Sequence, residues 1–190
     1  TVSPKGMERN KKYMERMDLY DAQRRPLGRT AERGEKLPEG IYHLMAHILV
    51  FHPDGRILIQ RRQPFKKYWS GLWDITTGGG ALAGEDTARA AMREAREELG
   101  LEVELTGRRP AFTINQGRTF DDYFLVEQAV DLSSLRLQPS EVAEVAWATA
   151  EEILQMIREK RFVPLQEGYV RFVFGLRQGG ILLPESEWPR

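Results

Sequence analysis

The sequence predicts an α/β fold, a mixed sheet with helices on its faces. Three observations predict it. Short apolar runs bounded by Gly, Pro, Asn and Asp read as strands, and the segment from Asp86 to Gly100 reads as a capped helix. Tight turns join neighbouring strands too often for a doubly wound parallel sheet, whose strands need long crossovers.

Along the chain, charged residues 7–14 are expected as a short helix or a mobile segment. Residues 15–20 and 24–30 are expected as two strands around Asp21-Ala22-Gln23, an N-terminal β-hairpin extension within residues 1–40. Polar residues 32–40 form a connection, and the main domain spans residues 41–190. Its first strand, residues 42–51, is nearly all apolar, as a buried strand would be. His52-Pro53-Asp54-Gly55 then turns the chain into residues 56–62, completing a hairpin. Residues 73–77 give a short strand that ends at Gly78-Gly79-Gly80. Asp86 or Thr87 caps the next helix and Gly100 stops it. Further strands are expected at 112–115, 123–128 and 142–147, with helices at 150–160 and within 165–176.

The totals exclude several function classes. Of the 190 residues, 28 are basic and 28 acidic, so no net charge favours a nucleic-acid polymer. The chain has no cysteine, which excludes a cysteine nucleophile and a thiolate metal site and suits a reducing cytoplasm. No apolar run is long enough to cross a bilayer, and Thr1 to Gly6 lacks the apolar core of a signal peptide. A cytoplasmic location without membrane partners is expected.

The chemistry concentrates on the helix after the glycines. On a wheel turning about 100° per residue, Glu98 lies about 40° to one side of Glu94 and Glu97 about 60° to the other. Ala90 falls in the same wedge and leaves room beside the carboxylates. Ala88, Ala91, Met92, Ala95 and Leu99 form a packing face, and Arg89, Arg93 and Arg96 project away from the acids. Carboxylates at these spacings repel, and they sit at the helix end that favours cations. A divalent ion with hard oxygen ligands, Mg²⁺ or Mn²⁺, removes both objections. A solvated acidic face, with Arg93 and Glu97 as an i,i+4 pair, is the plainer alternative. The glycines favour the first reading, since backbone at Gly78, Gly79 and Gly80 can approach a ligand without Cβ interference.

Gly79, five residues, Glu85, seven residues and then Arg93-Glu94-Ala95-Arg96-Glu97-Glu98-Leu99-Gly100-Leu101 resembles the Nudix box. Every fixed position of that 23-residue signature matches, although Ala95 stands where a bulkier aliphatic is usual. The resemblance implies an α/β/α sandwich around a mixed sheet. It also implies a Mg²⁺- or Mn²⁺-dependent hydrolase cleaving a pyrophosphate linkage in a small-molecule substrate, typically a nucleoside diphosphate derivative. Glu94, Glu97 and Glu98 would then hold metal, with the Gly79 carbonyl as a further ligand. Glu85 and Arg93 would orient loop and helix, and Glu97 would be the general base, with Glu141 and Glu144 as alternatives from a later loop.

Asp18-Leu19-Tyr20-Asp21, Gly40-Ile41-Tyr42-His43, Gln60-Arg61-Arg62 and Trp69-Ser70-Gly71-Leu72-Trp73-Asp74 are similar to the branch containing isopentenyl diphosphate isomerase. That isomerase needs a cysteine where this chain has Gly78 and a metal histidine where it has Gly80. His43 matches another of its metal histidines but lacks those partners. Isomerisation is therefore the rival, and a non-catalytic nucleotide-binding module a third reading. For substrate, Arg61, Arg62, Lys66 and Lys67 are candidate phosphate contacts, with backbone approach at Gly78. Trp69, Trp73, Phe112, Phe120 and Tyr123 are candidate stacking residues, each equally readable as core. The N-terminal hairpin is expected either to cover the site or to join a homodimer.

Overall fold

The computed structural model describes residues 15–75 and 77–177. Residues 7–14, expected as a helix or mobile segment, lie outside the described residues. In chain order the elements are β1 (Arg16–Tyr20), β2 (Pro26–Glu32), β3 (His43–Phe51), β4 (Ile57–Arg62), β5 (Trp73–Ile75), β6 (Thr77–Gly80) and α1 (Thr87–Leu99). They continue with β7 (Phe112–Gln116), β8 (Thr119–Glu127), β9 (Val142–Ala148), α2 (Ala150–Arg158) and α3 (Glu167–Leu176). The predicted α/β architecture is present: β3 runs parallel to β8, while its other pairings and those of β4 are antiparallel.

Two apolar cores lie on the two faces of this sheet, because side chains alternate along a strand. Ile48 and Val50 of β3 pack with Ala88, Ala91, Ala95 and Leu99 of α1. Leu49 and Phe51 pack with Ile153 and Leu154 of α2 and with Val170 and Val173 of α3. The result is a three-layer α/β/α sandwich. The α1 boundaries follow from its caps. The Asp86 carboxylate accepts from the Arg89 N–H at 2.8 Å, and Gly100 takes φ 64°, a left-handed conformation that glycine adopts without strain. At α2, Thr149 and Glu152 form a reciprocal capping box.

One expected feature is altered. The turn at His52 to Gly55 forms, with the His52 N–H donating to the Arg56 carbonyl at 2.8 Å. Yet β3 and β4 pair only at Phe51 and Ile57. Beyond that point β3 is taken by β6 and β8, and β4 by β5 and β9. The hairpin splays, because each strand finds longer ladders elsewhere. The strand expected at 73–77 is likewise two strands with different partners, β5 on β4 and β6 on β3.

The N-terminal hairpin is bound to the rest of the fold. Its second strand begins at Pro26 rather than residue 24, because Arg24 takes φ 60° in the turn. This turn aims the Arg24 guanidinium at Asp122 of β8, donating to both carboxylate oxygens. Thr87 of α1 and Thr113 of β7 also donate to that carboxylate, each at 2.6 Å. Burial alone would raise the Asp122 pKa, but the hydrogen bonds from Arg24, Thr113 and Thr87 hold it below the usual aspartate range. Four elements thus meet at one buried side chain, 1% exposed.

Arg24→Met should lower the unfolding free energy by about 2 kcal/mol, since it leaves a buried carboxylate short of its cation while two hydroxyl donors remain. The lowered pKa fixes the sign with pH. The Asp122 contribution is present above the unfolded value near 3.9 and is lost as pH falls below it, so parent and variant should converge in acid. Urea titrations across that range measure the difference.

Candidate active site

The site is built around the glycine strand β6 and the helix that follows it. Gly78 pairs with His47 of β3 and Gly79 with Ala46. A Cβ on Gly79 would come within 3.0 Å of the Glu94 carboxylate, so glycine is required for the acid to lie against this strand. A Cβ on Gly78 would likewise strike the His47 ring, and would reach the Ala46 carbonyl oxygen at 2.8 Å. Both requirements concern packing space, since neither residue has positive φ.

Arg93 joins the parts. Its guanidinium donates to Glu85 at 2.9 and 3.1 Å, to Glu94 at 2.8 Å, to Glu97 at 3.2 Å and to the Gly80 carbonyl at 3.0 Å. Glu85 also accepts from the Leu82 N–H at 2.9 Å, which fixes the loop between β6 and α1. The expectation that Arg93 projects away from the acids is corrected: its side chain is long enough to fold back across the helix. Arg96 does point elsewhere, pairing with Glu102 at 2.7 Å. Ala90 itself is fully buried in the α1 core.

The three helix acids differ in environment. Glu94 is buried, and burial, with the charge of Glu97, pushes its pKa up against the pull of Arg93. The Glu97 side chain is 53% exposed. Glu98 accepts from the Thr77 hydroxyl and from Gln60 at 3.2 Å. Its burial and the charge of Glu94 carry its pKa up to about 7 despite those bonds. As the side chains stand, no three His, Asp or Glu among the described residues converge as a metal site. Glu94 and Glu97 are turned to Arg93, and Glu98 to Thr77. The donor set nevertheless fits a hard divalent cation: oxygen ligands only, one buried and one half-buried with raised pKa, and one lying against a glycine whose Cβ would displace it.

Beside Glu98 lies a cavity of about 810 Å³. It is lined from both sides of the strand divergence, by Met45, His47 and Leu49 of β3 and by Gln60 and Arg62 of β4. Of the other proposed substrate contacts, Gly78, Trp69 and Tyr123 line it, while Arg61, Trp73, Phe112 and Phe120 do not. Arg61 pairs with Glu144 at 3.1 Å, and Lys66 with Glu141, so both alternative base residues face a cation. Trp73 packs in the α2–α3 core, Phe112 stacks on Tyr123 at 4.6 Å, and Phe120 is buried on the α1 side. Lys67 lies 5.1 Å over the Tyr68 ring. His43, which opens β3, has a buried Nδ1 without a hydrogen-bond partner and a pKa lowered by burial.

Sequence reasoning did not find Thr77, Gln60, His47, Asp121 and Tyr169, which also line the cavity. One signal was available. Asp121 and Asp122 are adjacent acids inside an otherwise apolar strand, so they must point to opposite faces.

A profile of the NUDIX domain matches residues 41–168. An uncharacterized Nudix hydrolase of Listeria monocytogenes is 41% identical over 151 residues, covering 80% of this chain and 89% of that protein. An isopentenyl-diphosphate Delta-isomerase of Citrobacter koseri is 31% identical, over 75% of this chain and 82% of its own length. Among solved structures, a Deinococcus radiodurans protein aligns with a TM-score of 0.66 at 22% identity, covering 83% of this chain and 98% of that one.

Gly78→Ala should destabilise the fold by about 1–3 kcal/mol, because the added methyl meets backbone that cannot yield. Gly79→Ala should cost less in a thermal melt, since the flexible end of Glu94 can move away, but it should weaken divalent-ion binding through that displacement. Equal effects of the two on stability would contradict the packing described.

Proposed function

The chain belongs to the Nudix family, and we propose that it is a Mg²⁺-dependent hydrolase cleaving the pyrophosphate linkage of a nucleoside diphosphate derivative or a related diphosphate. The observation that carries this reading is Glu98. It stands on the carboxylate face of α1 and also lines the cavity, so a diphosphate at the helix can place its remaining portion in the cavity.

Glu94, Glu97 and Glu98, with the Gly79 carbonyl, would hold the ion. A bound divalent cation neutralises diphosphate charge and makes water more acidic. The chain's own groups supply the rest. Arg93 and Glu85 position the loop and helix, and do not themselves react. Thr77 and Gln60 orient the Glu98 carboxylate. Glu97, half-exposed and hence open to solvent, is the proposed proton acceptor from water. The water oxygen forms a new bond to one phosphorus, the anhydride P–O bond breaks, and the other phosphate leaves with the bridging oxygen.

The isomerase relative shares the frame, yet two observations weigh against its chemistry here. The chain contains no cysteine, and His47 fills the space that any side chain at position 78 would need. In the described residues no helix is long and apolar enough to cross a membrane, so a small-molecule substrate met in water is proposed. A cytoplasmic location is proposed with it.

The test is product release from a panel of nucleoside di- and triphosphates, ADP-ribose, nucleotide sugars, dinucleotides, coenzyme A and isopentenyl diphosphate with Mg²⁺. Glu98→Gln and Glu97→Gln should each lower kcat by about a hundredfold or more while melting like the parent. Cleavage unaffected by either substitution would mean that α1 is not the catalytic element.

A further inference from the structure

The cavity beside Glu98 is chemically uneven. Asp74, Asp121 and Glu98 line it, and Arg62 lies 3.9 Å from Asp74 while donating to the Tyr68 carbonyl at 3.3 Å. With the diphosphate held at α1, some other group of the substrate enters the cavity. Deeper in, Asp121 of β8 and His47 of β3 face each other across 3.6 Å, too far for a direct hydrogen bond. Asp121 is only 8% exposed. Its Oδ1 and the His47 Nε2 are both buried and make no hydrogen bond within the protein.

The His47 side of that gap is held by packing. The His47 ring is stacked on Tyr123 at 4.5 Å, and Tyr123 on Phe112 at 4.6 Å. An apolar chain entering here would leave two buried polar atoms without partners, the costly outcome for any such pair. A hydroxyl or amino group serves both, donating to the Asp121 carboxylate and meeting the imidazole nitrogen. At the cavity wall, Trp69 is 52% exposed and takes φ 52°, an uncommon conformation for a bulky residue, and it offers a flat face to a ring.

We propose that the cavity selects its substrate through a polar, ring-bearing head group whose hydroxyl or amino donors are received by Asp121 and His47. A diphosphate that carries only an apolar chain is therefore a poor ligand. The proposal rests on the hydrolase reading for where the diphosphate sits, but head-group selection is measured by binding, independently of turnover.

The experiment is calorimetric titration of the full chain with Mg²⁺ present, using the non-hydrolysable methylene-bridged analogues of ADP, UDP-glucose and isopentenyl diphosphate as probes, so that nothing is cleaved. The parent should bind at least one polar probe roughly tenfold or more tightly than isopentenyl diphosphate. Asp121→Asn and His47→Phe, the latter keeping a ring against Tyr123, should remove that advantage and leave isopentenyl diphosphate unchanged. Loss for UDP-glucose alone assigns the donors to the hexose, and loss for both probes assigns them to the nucleoside. Parity of isopentenyl diphosphate with the polar probes, unchanged affinities in both variants, or no binding of any probe would overturn the proposal. Melting curves establish that each variant is folded. Failure of the hydrolase reading shows separately, as no product release with Mg²⁺ present.

Discussion

The Arg93 guanidinium donates to three glutamates and to the Gly80 carbonyl, and through them strand β6, the loop after it and helix α1 are held in one geometry. The acids on α1 repel one another and sit at the wrong end of the helix dipole, so without a cation nearby this face would be a local cost to the fold. Arg93 supplies that cation from within the chain. It does so unevenly, reaching Glu94 and Glu97 but leaving Glu98 to Thr77 and Gln60. The pKa of Glu98 near 7 reports that difference: hydrogen-bond donors stabilise its charge less than burial and Glu94 destabilise it.

The cavity depends on a second constraint, the parting of β3 and β4 after a single paired position. Had the two strands zipped along their length, the sheet would be continuous where the cavity now lies. Instead β6, with its run of glycines, is the strand that pairs along β3. Close approach at Gly78 and Gly79 lets His47 and Glu94 pack directly against that backbone. The same alternation along β8 sends Asp122 to the N-terminal hairpin and α1, and Asp121 to the cavity.

Much of this was legible in the sequence where the cause is local. The caps at Asp86 and Gly100 bounded α1, the apolar alternation marked most strands, and the spacing of Glu94, Glu97 and Glu98 announced an acidic face. For Arg93, the i,i+4 spacing gave its pairing with Glu97 and the resemblance its pairing with Glu85, but the wheel alone pointed it away from the acids, because it places Cα positions and ignores a long side chain that can turn back. That Ala90 would be buried was likewise not legible, since the wheel cannot say how closely the sheet approaches. Strand partners were hidden too: the His52 to Gly55 turn is a sound hairpin signal, but competing ladders with β6, β8 and β9 decide how far the hairpin extends. Asp121, His47 and Gln60 come together from three strands, a proximity that no local pattern encodes.

The central claim is that the α1 carboxylates form a divalent-cation site for which Arg93 stands in when no ion is bound. The most direct measurement is Mn²⁺ binding followed by electron paramagnetic resonance, comparing the parent with Glu98→Gln and with Glu94→Gln. The account predicts stoichiometric binding by the parent and affinity at least about tenfold weaker in each variant. Equal Mn²⁺ affinity in all three proteins would contradict it.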